Sequence, residues 1–240
     1  MAAYSQKVSE IINSAERLHR AYYEVKTFGG PSLHFHRQSL KNWDATEFPR
    51  RLEYIYATLA AWGMHRMGKG GSKMLPFDDF QRSMVSLKDR ISEAAKIKPS
   101  EMTENDWSNI EAVFRGIRVM ASGTSILGNS KVMAHLLPNL FPPIDREYTL
   151  RYLRGTTSIA KDIDKEWQLM KDIIAGFFIP VSLDKGFQAA AKVWMADQDD
   201  YPWDTSIFKI IDNLVIGVRK LAASKKSRKQ RNKAPTKTAR

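Results

Sequence analysis

The spacing of large apolar residues constrains this chain more than any other feature. Along almost its whole length they recur at three- and four-residue intervals, the period of a helix with one buried face. Val8, Ile11, Ile12, Ala15, Leu18 and Tyr22 form one stripe, and Phe48, Leu52, Ile55, Leu59 and Trp62 a second. Phe80, Met84, Leu87, Ile91 and Ala95 make a third, and Trp107, Ile110, Phe114 and Ile117 a fourth that begins near Thr103 with Asp106 three residues on. Further stripes run through Trp167, Met170, Ile174 and Phe177, through Phe187, Ala190, Ala191 and Trp194, and from Ile207 to Leu221. Asp44 with Glu47, and Asp204, stand where helix caps are expected. No hairpin pattern, βαβ alternation or fixed-period repeat is present. The predicted fold is therefore all-α, with about eight or nine helices in one compact or two-lobed domain over residues 1–223.

With 240 residues, 43 % of them apolar, the chain can bury a substantial core. It has no cysteine, which excludes disulfides, thiolate chemistry, cysteine-bound zinc and iron–sulfur clusters. His, Asp and Glu remain as metal-ligating side chains, and no spacing among them predicts a metal or cofactor site. No apolar run approaches the roughly 20 residues that cross a bilayer, and the start MAAYSQKVSE is unlike a secretory signal. A cytoplasmic protein with no membrane partner is expected.

The formal charge is +12, and its distribution is uneven. Residues 224–240 hold eight Lys and Arg, among them Lys225, Lys226, Arg228, Lys229 and Arg231, and no acid, which leaves +4 for residues 1–223. With nothing apolar larger than Ala, this tail is predicted to be disordered and to attract polyanions, with salt-sensitive affinity. A second basic segment, Gly63 to Lys73, nearly spells a phosphate-binding loop, but Gly70 takes the hydroxyl position and a helix precedes it where that motif needs a strand. It reads as a glycine helix cap followed by a flexible loop whose Arg66, Lys69 and Lys73 are either simply solvated or in contact with a phosphate backbone. His34 and His36 would share one side of an extended segment, where hydrogen-bonded structural histidines are the simpler reading than metal ligands. Asp199 and Asp200 read as a turn before a helix capped by Asp204.

The stretch from Gly128 to Tyr152, GNSKVMAHLLPNLFPPIDREYTLRY, concentrates the remaining chemistry. Gly128, Asn129 and Ser130 read as a turn or helix start, Lys131 to Leu137 as a short helix, and Pro142-Pro143-Ile144-Asp145 as a rigid lead-in to a helix that Asp145 caps. Lys131 and Asp145 would then face one pocket. A lysine at a helix N-terminus has a lowered pKa, and its neutral amine can form a Schiff base beside a carboxylate that stabilises developing positive charge.

This order of turn, lysine, apolar helix, proline, apolar-Asp and a helix with Arg151 resembles the helix-hairpin-helix DNA glycosylase superfamily. Gly128 falls in the hairpin, Lys131 at the lysine of the bifunctional members and Ile144-Asp145 at the apolar-Asp position. Asn129 stands where the hairpin's second glycine would be, and the intervening helix is shorter. The resemblance implies a two-lobed all-α fold, hairpin amides gripping a DNA phosphate and a flipped base presented to Lys131 and Asp145. The segment 54–74 is also similar to uncharacterised bacterial proteins.

Three functions follow. The first is a nucleic-acid-binding protein, its partner DNA or RNA with DNA favoured, that uses tail, basic loop and Gly128-Asn129-Ser130. The second is a glycosylase or lyase with Lys131 as nucleophile, Asp145 as electrostatic partner and His135 as accessory base. The third is a protein-interaction scaffold.

Overall fold

The computed structural model describes residues 4–24, 29–41, 43–44, 46–68 and 71–231, with the side chains of 67, 68 and 224–231 outside that description. It is all-α apart from one two-residue hairpin. In chain order the helices are α1 (Ser5–Asn13), α2 (Ala15–Tyr23), α3 (Pro31–Ser39), α4 (Phe48–Ala61), α5 (Phe77–Val85), α6 (Lys88–Ala94), α7 (Glu104–Gly116), α8 (Ser125–Leu136), α9 (Arg151–Arg154), α10 (Ile163–Ile173), α11 (Ile179–Ser182), α12 (Lys185–Ala196) and α13 (Ile207–Arg231). Wide π turns at Arg146–Leu150 and Ile174–Phe178 lead into α9 and α11.

The described helices outnumber the apolar stripes because some stripes bend without losing their buried face. The first breaks at Ser14, whose φ of −118° and ψ of 9° leave the helical region, so α1 and α2 share it. The third breaks at Ser86 and Leu87, between α5 and α6, while Leu87 and Ile91 stay buried. Thr103 and Asp106 form the reciprocal cap of α7. Gly63 ends α4 at φ +78°, with Gly63 N–H donating to Ala60 C=O and Met64 N–H to Leu59 C=O. Beyond it, Met67–Gly68 and Gly71–Ser72 pair as the hairpin in place of a phosphate loop. Asp44 binds the Thr46 and Glu47 amides one turn before α4, and Glu47 makes no cap bond.

One apolar core runs from Ile11 to Val215 and includes residues of every helix except α3, whose Leu33 packs against the smaller cluster around Trp203. α8 lies at its centre, with most of its residues buried between α4, α7 and α10. α13 packs along α2, and they approach so closely that a side chain on Gly217 would strike the Leu18 carbonyl. The backbone of α13 continues through Arg231, into the basic stretch assigned to the tail; residues 232–240 lie outside the described part. Among the described residues no helix is long and apolar enough to cross a membrane.

Candidate functional site

Polar side chains on a buried helix need partners, and those on α8 find them in neighbouring segments and within the helix itself. Asn129 Nδ2 donates to the Phe114 carbonyl at 2.8 Å, which satisfies the end of α7. Ser130 Oγ accepts the Ile144 N–H at 3.1 Å, while Lys131 Nζ donates to the Ile144 carbonyl at 2.9 Å and to the Leu127 carbonyl at 3.3 Å. Two successive residues thus hold both polar groups of Ile144 and fasten the proline segment to α8. The N-terminus of α8 has no cap of its own. Glu166 of α10 accepts the Ile126 N–H at 2.7 Å in that role, and burial raises its pKa.

These contacts correct the expected turn at Gly128, Asn129 and Ser130. The three residues are interior to α8 and buried. Gly128 is small because Met120 and Val119 pack against it, with Met120 Cγ 2.6 Å from where a Cβ would stand. Lys131 consequently sits mid-helix, away from the helix N-terminus. Its pKa is lowered as expected, but the cause is burial, which Asp145 and Asp212 oppose.

Asp145 caps the helix that follows, its Oδ1 accepting the Glu147 N–H at 2.7 Å and the Tyr148 N–H at 3.3 Å. Lys131 and Asp145 line one cavity of about 380 Å³. Tyr22, Trp62, Tyr148 and Trp203 supply aromatic wall, and α13 adds Lys209 and Asp212. Tyr22, Trp203 and Ile216 form a small apolar cluster of their own beside Trp62 and Tyr148, separate from the main core. Arg66 also lines the cavity, which sets three cationic side chains against two carboxylates.

Lys209 Nζ donates to Asp212 Oδ2 at 2.7 Å and to Asn213 Oδ1. Asn213 Nδ2 in turn donates to Asp204 Oδ1 at 2.8 Å and to the Trp203 carbonyl. Asp204 is not the cap of α13: Ser206 Oγ accepts the Lys209 N–H there. Asp204 is fully buried instead, bound by His19 Nε2 at 2.6 Å and Tyr23 O–H at 3.0 Å. Burial raises the pKa of Asp212 and of Tyr22, which faces it.

His135 lies outside the cavity wall. Its Nδ1–H donates to the Lys131 carbonyl at 2.6 Å and its Nε2 accepts from His36 Nδ1 at 3.0 Å, while His36 Nε2 accepts from Thr205 Oγ1 at 2.9 Å. The partners fix this single direction of donation. Burial holds both rings neutral, with the pKa of His135 lowered to about 4. The segment 31–39 is helical, so His34 and His36 diverge, and His36 takes the hydrogen-bonded structural role.

Lys73 is exposed, its carbonyl accepting the Ala121 N–H at 2.9 Å. Lys69 and the side chains of Lys225, Lys226, Arg228, Lys229 and Arg231 lie outside the described residues. Asp199 and Asp200 are exposed in a turn. Among the described residues no group of three or more His, Asp or Glu is placed to hold a metal ion.

Lys209, Asp212, Asn213 and the aromatic wall escaped the sequence reading. The signal for them was a polar set at i, i+3 and i+4 within the otherwise apolar first half of α13, residues 207–218, since a helical stretch apolar on its remaining faces is buried all round. Fold and site together define an all-α protein with an aromatic-walled cavity holding two lysines and two aspartates. Compared with known protein families, curated proteins and solved structures, the chain matches none.

Proposed function

We propose that this protein binds DNA and admits an unpaired nucleotide to the cavity, where Lys131 acts as the nucleophile of a glycosylase or lyase. The observation that carries this reading is the meeting of Lys131 and Asp145 in one aromatic-walled cavity. Its volume of about 380 Å³ is in the range that encloses a small ligand. Aromatic faces stack on any base, and a base must leave the duplex to reach a buried amine. Burial favours the neutral amine of Lys131, which attacks a sugar aldehyde carbon. Arg66 and the eight cations of residues 224–240 supply attraction for phosphate. Asn129 and Ser130 act here through internal hydrogen bonds, and Gly128 through close packing on Met120 and Val119, which together fix the helix that carries Lys131.

The test is borohydride trapping on DNA with a single abasic site. The parent protein should give a covalent adduct that Lys131→Ala loses. An adduct that survives this change excludes Lys131 as nucleophile. A second reading, binding without chemistry, is favoured by one observation: Lys131 Nζ donates to two carbonyls, an arrangement that also suits a structural ammonium group. Salt-sensitive DNA binding with no adduct would select it.

A further inference from the structure

We propose that Asp212 is the proton-transfer group of this cavity, delivering a proton to the hydroxyl that leaves when the Lys131 amine condenses with a sugar aldehyde. The inference rests on the reading of Lys131 as nucleophile and extends it to a residue 81 positions further along the chain.

Two carboxylates line the cavity, and their bonding separates their roles. Asp145 is committed to its helix: one oxygen accepts two backbone amides, and turning it away would open the first turn. Asp212 is 4 % exposed, and among the described residues its carboxylate takes a hydrogen bond from Lys209 alone. Lys209 does not depend on that bond for its position. Asn213 holds it as well, and Asn213 is oriented by its own donation to Asp204, which His19 and Tyr23 fix. Asp212 can therefore gain or lose a proton while Lys209 stays in place. Buried beside the aromatic wall, it also favours the protonated form that a donor requires.

The step balances. The Lys131 amine adds to the aldehyde carbon, and the carbonyl oxygen becomes a hydroxyl by taking the proton released from nitrogen. The nitrogen lone pair then expels that hydroxyl, Asp212 supplies its proton, and water leaves. The products are an iminium cation on Lys131 and the Asp212 carboxylate, so one positive and one negative charge arise together. The groups facing Asp212 are Lys209 on its own helix, Lys131 from α8, Asp145 from the segment before α9 and Tyr22 from α2. Of these, Lys209 stabilises the carboxylate most.

The experiment measures the rate of borohydride trapping against pH, using the full chain and DNA with one abasic site. Asp212→Asn keeps the size of the side chain and a hydrogen bond to Lys209. It should slow adduct formation at least about 100-fold, the low end of general acid–base effects, and abolish the fall in rate at high pH. Lys209→Met, which leaves Asp212 in place without its cation, should move that fall to higher pH. A merely structural role for Asp212 would not shift the profile. Parent-like rate and pH profile in Asp212→Asn overturn the proposal while leaving Lys131 as nucleophile. Should Asp212→Asn fail to fold, an unshifted profile in Lys209→Met overturns it equally. No Lys131-dependent adduct in the parent protein overturns both readings.

Discussion

Burying ionisable side chains makes individual residues of this protein sensitive to pH. His135 takes a proton near pH 6.5 when unfolded but only near 4 when folded, and burial moves His36 in the same direction. Between those values the unfolded chain binds more protons, so stability falls as the pH drops from about 6.5 to about 4. For His135 alone that interval corresponds to roughly 3 kcal/mol at about 1.36 kcal/mol per pH unit. Urea unfolding at about pH 7 and about pH 4.5 should show the loss, and it should be smaller in His135→Gln. Asp145 has a separable structural role. Removing its cap in Asp145→Ala should cost about 1 kcal/mol and Asp145→Asn much less, because Asn also caps. Thermal melts of the two variants measure the difference. The cap was legible in the sequence, since Asp after a Pro-Pro-Ile lead-in has a local geometric reason to be there. The partners of Asp204 were not, because His19 and Tyr23 lie more than 180 positions away.

Among the elements, α8 and α13 carry the site, and glycine allows each to approach its neighbours. A Cβ on Gly217 would run into the backbone oxygen of Leu18, so Gly217→Ala forces α13 away from α2. The expected loss is about 1–3 kcal/mol, read from the melting temperature. Gly128→Ala should destabilise as well, because its Cβ would stand 2.6 Å from Met120 Cγ and 2.9 Å from Cγ1 of the buried, stiff Val119. The cavity lies along the same α2–α13 contact through Tyr22, Lys209 and Asp212. Gly217→Ala should therefore also lower any trapping by Lys131. Helical periodicity exposed the apolar face of α13, whereas α8 was read only as a short helix from Lys131 to Leu137. The start of α8 was misassigned because Gly128, Asn129 and Ser130 look locally like a turn, whereas the carbonyl that Asn129 satisfies, the amide that Ser130 satisfies and the side chains packed on Gly128 belong to other parts of the chain.

For the molecule as a whole, charge and fold make separate contributions. If the terminal cations supply DNA affinity, replacing the eight Lys and Arg of residues 224–240 with Gln should flatten the dependence of log affinity on log salt, by about 0.9 for each phosphate that is no longer neutralised. An unchanged slope would assign the binding to the folded body. The all-α architecture, the reciprocal cap of α7, the glycine end of α4 and the cap at Asp145 were all legible in the sequence, because period and capping depend on residues within a few positions of one another. The convergence of Lys131 and Asp145, 14 residues apart, was within reach for the same reason. The burial of Lys131, the joining of His36 to His135 and the arrival of Lys209 and Asp212 at the cavity were settled only by packing. They depend on contacts across much of the chain, and the desolvation that sets their chemistry is a property of everything that surrounds them.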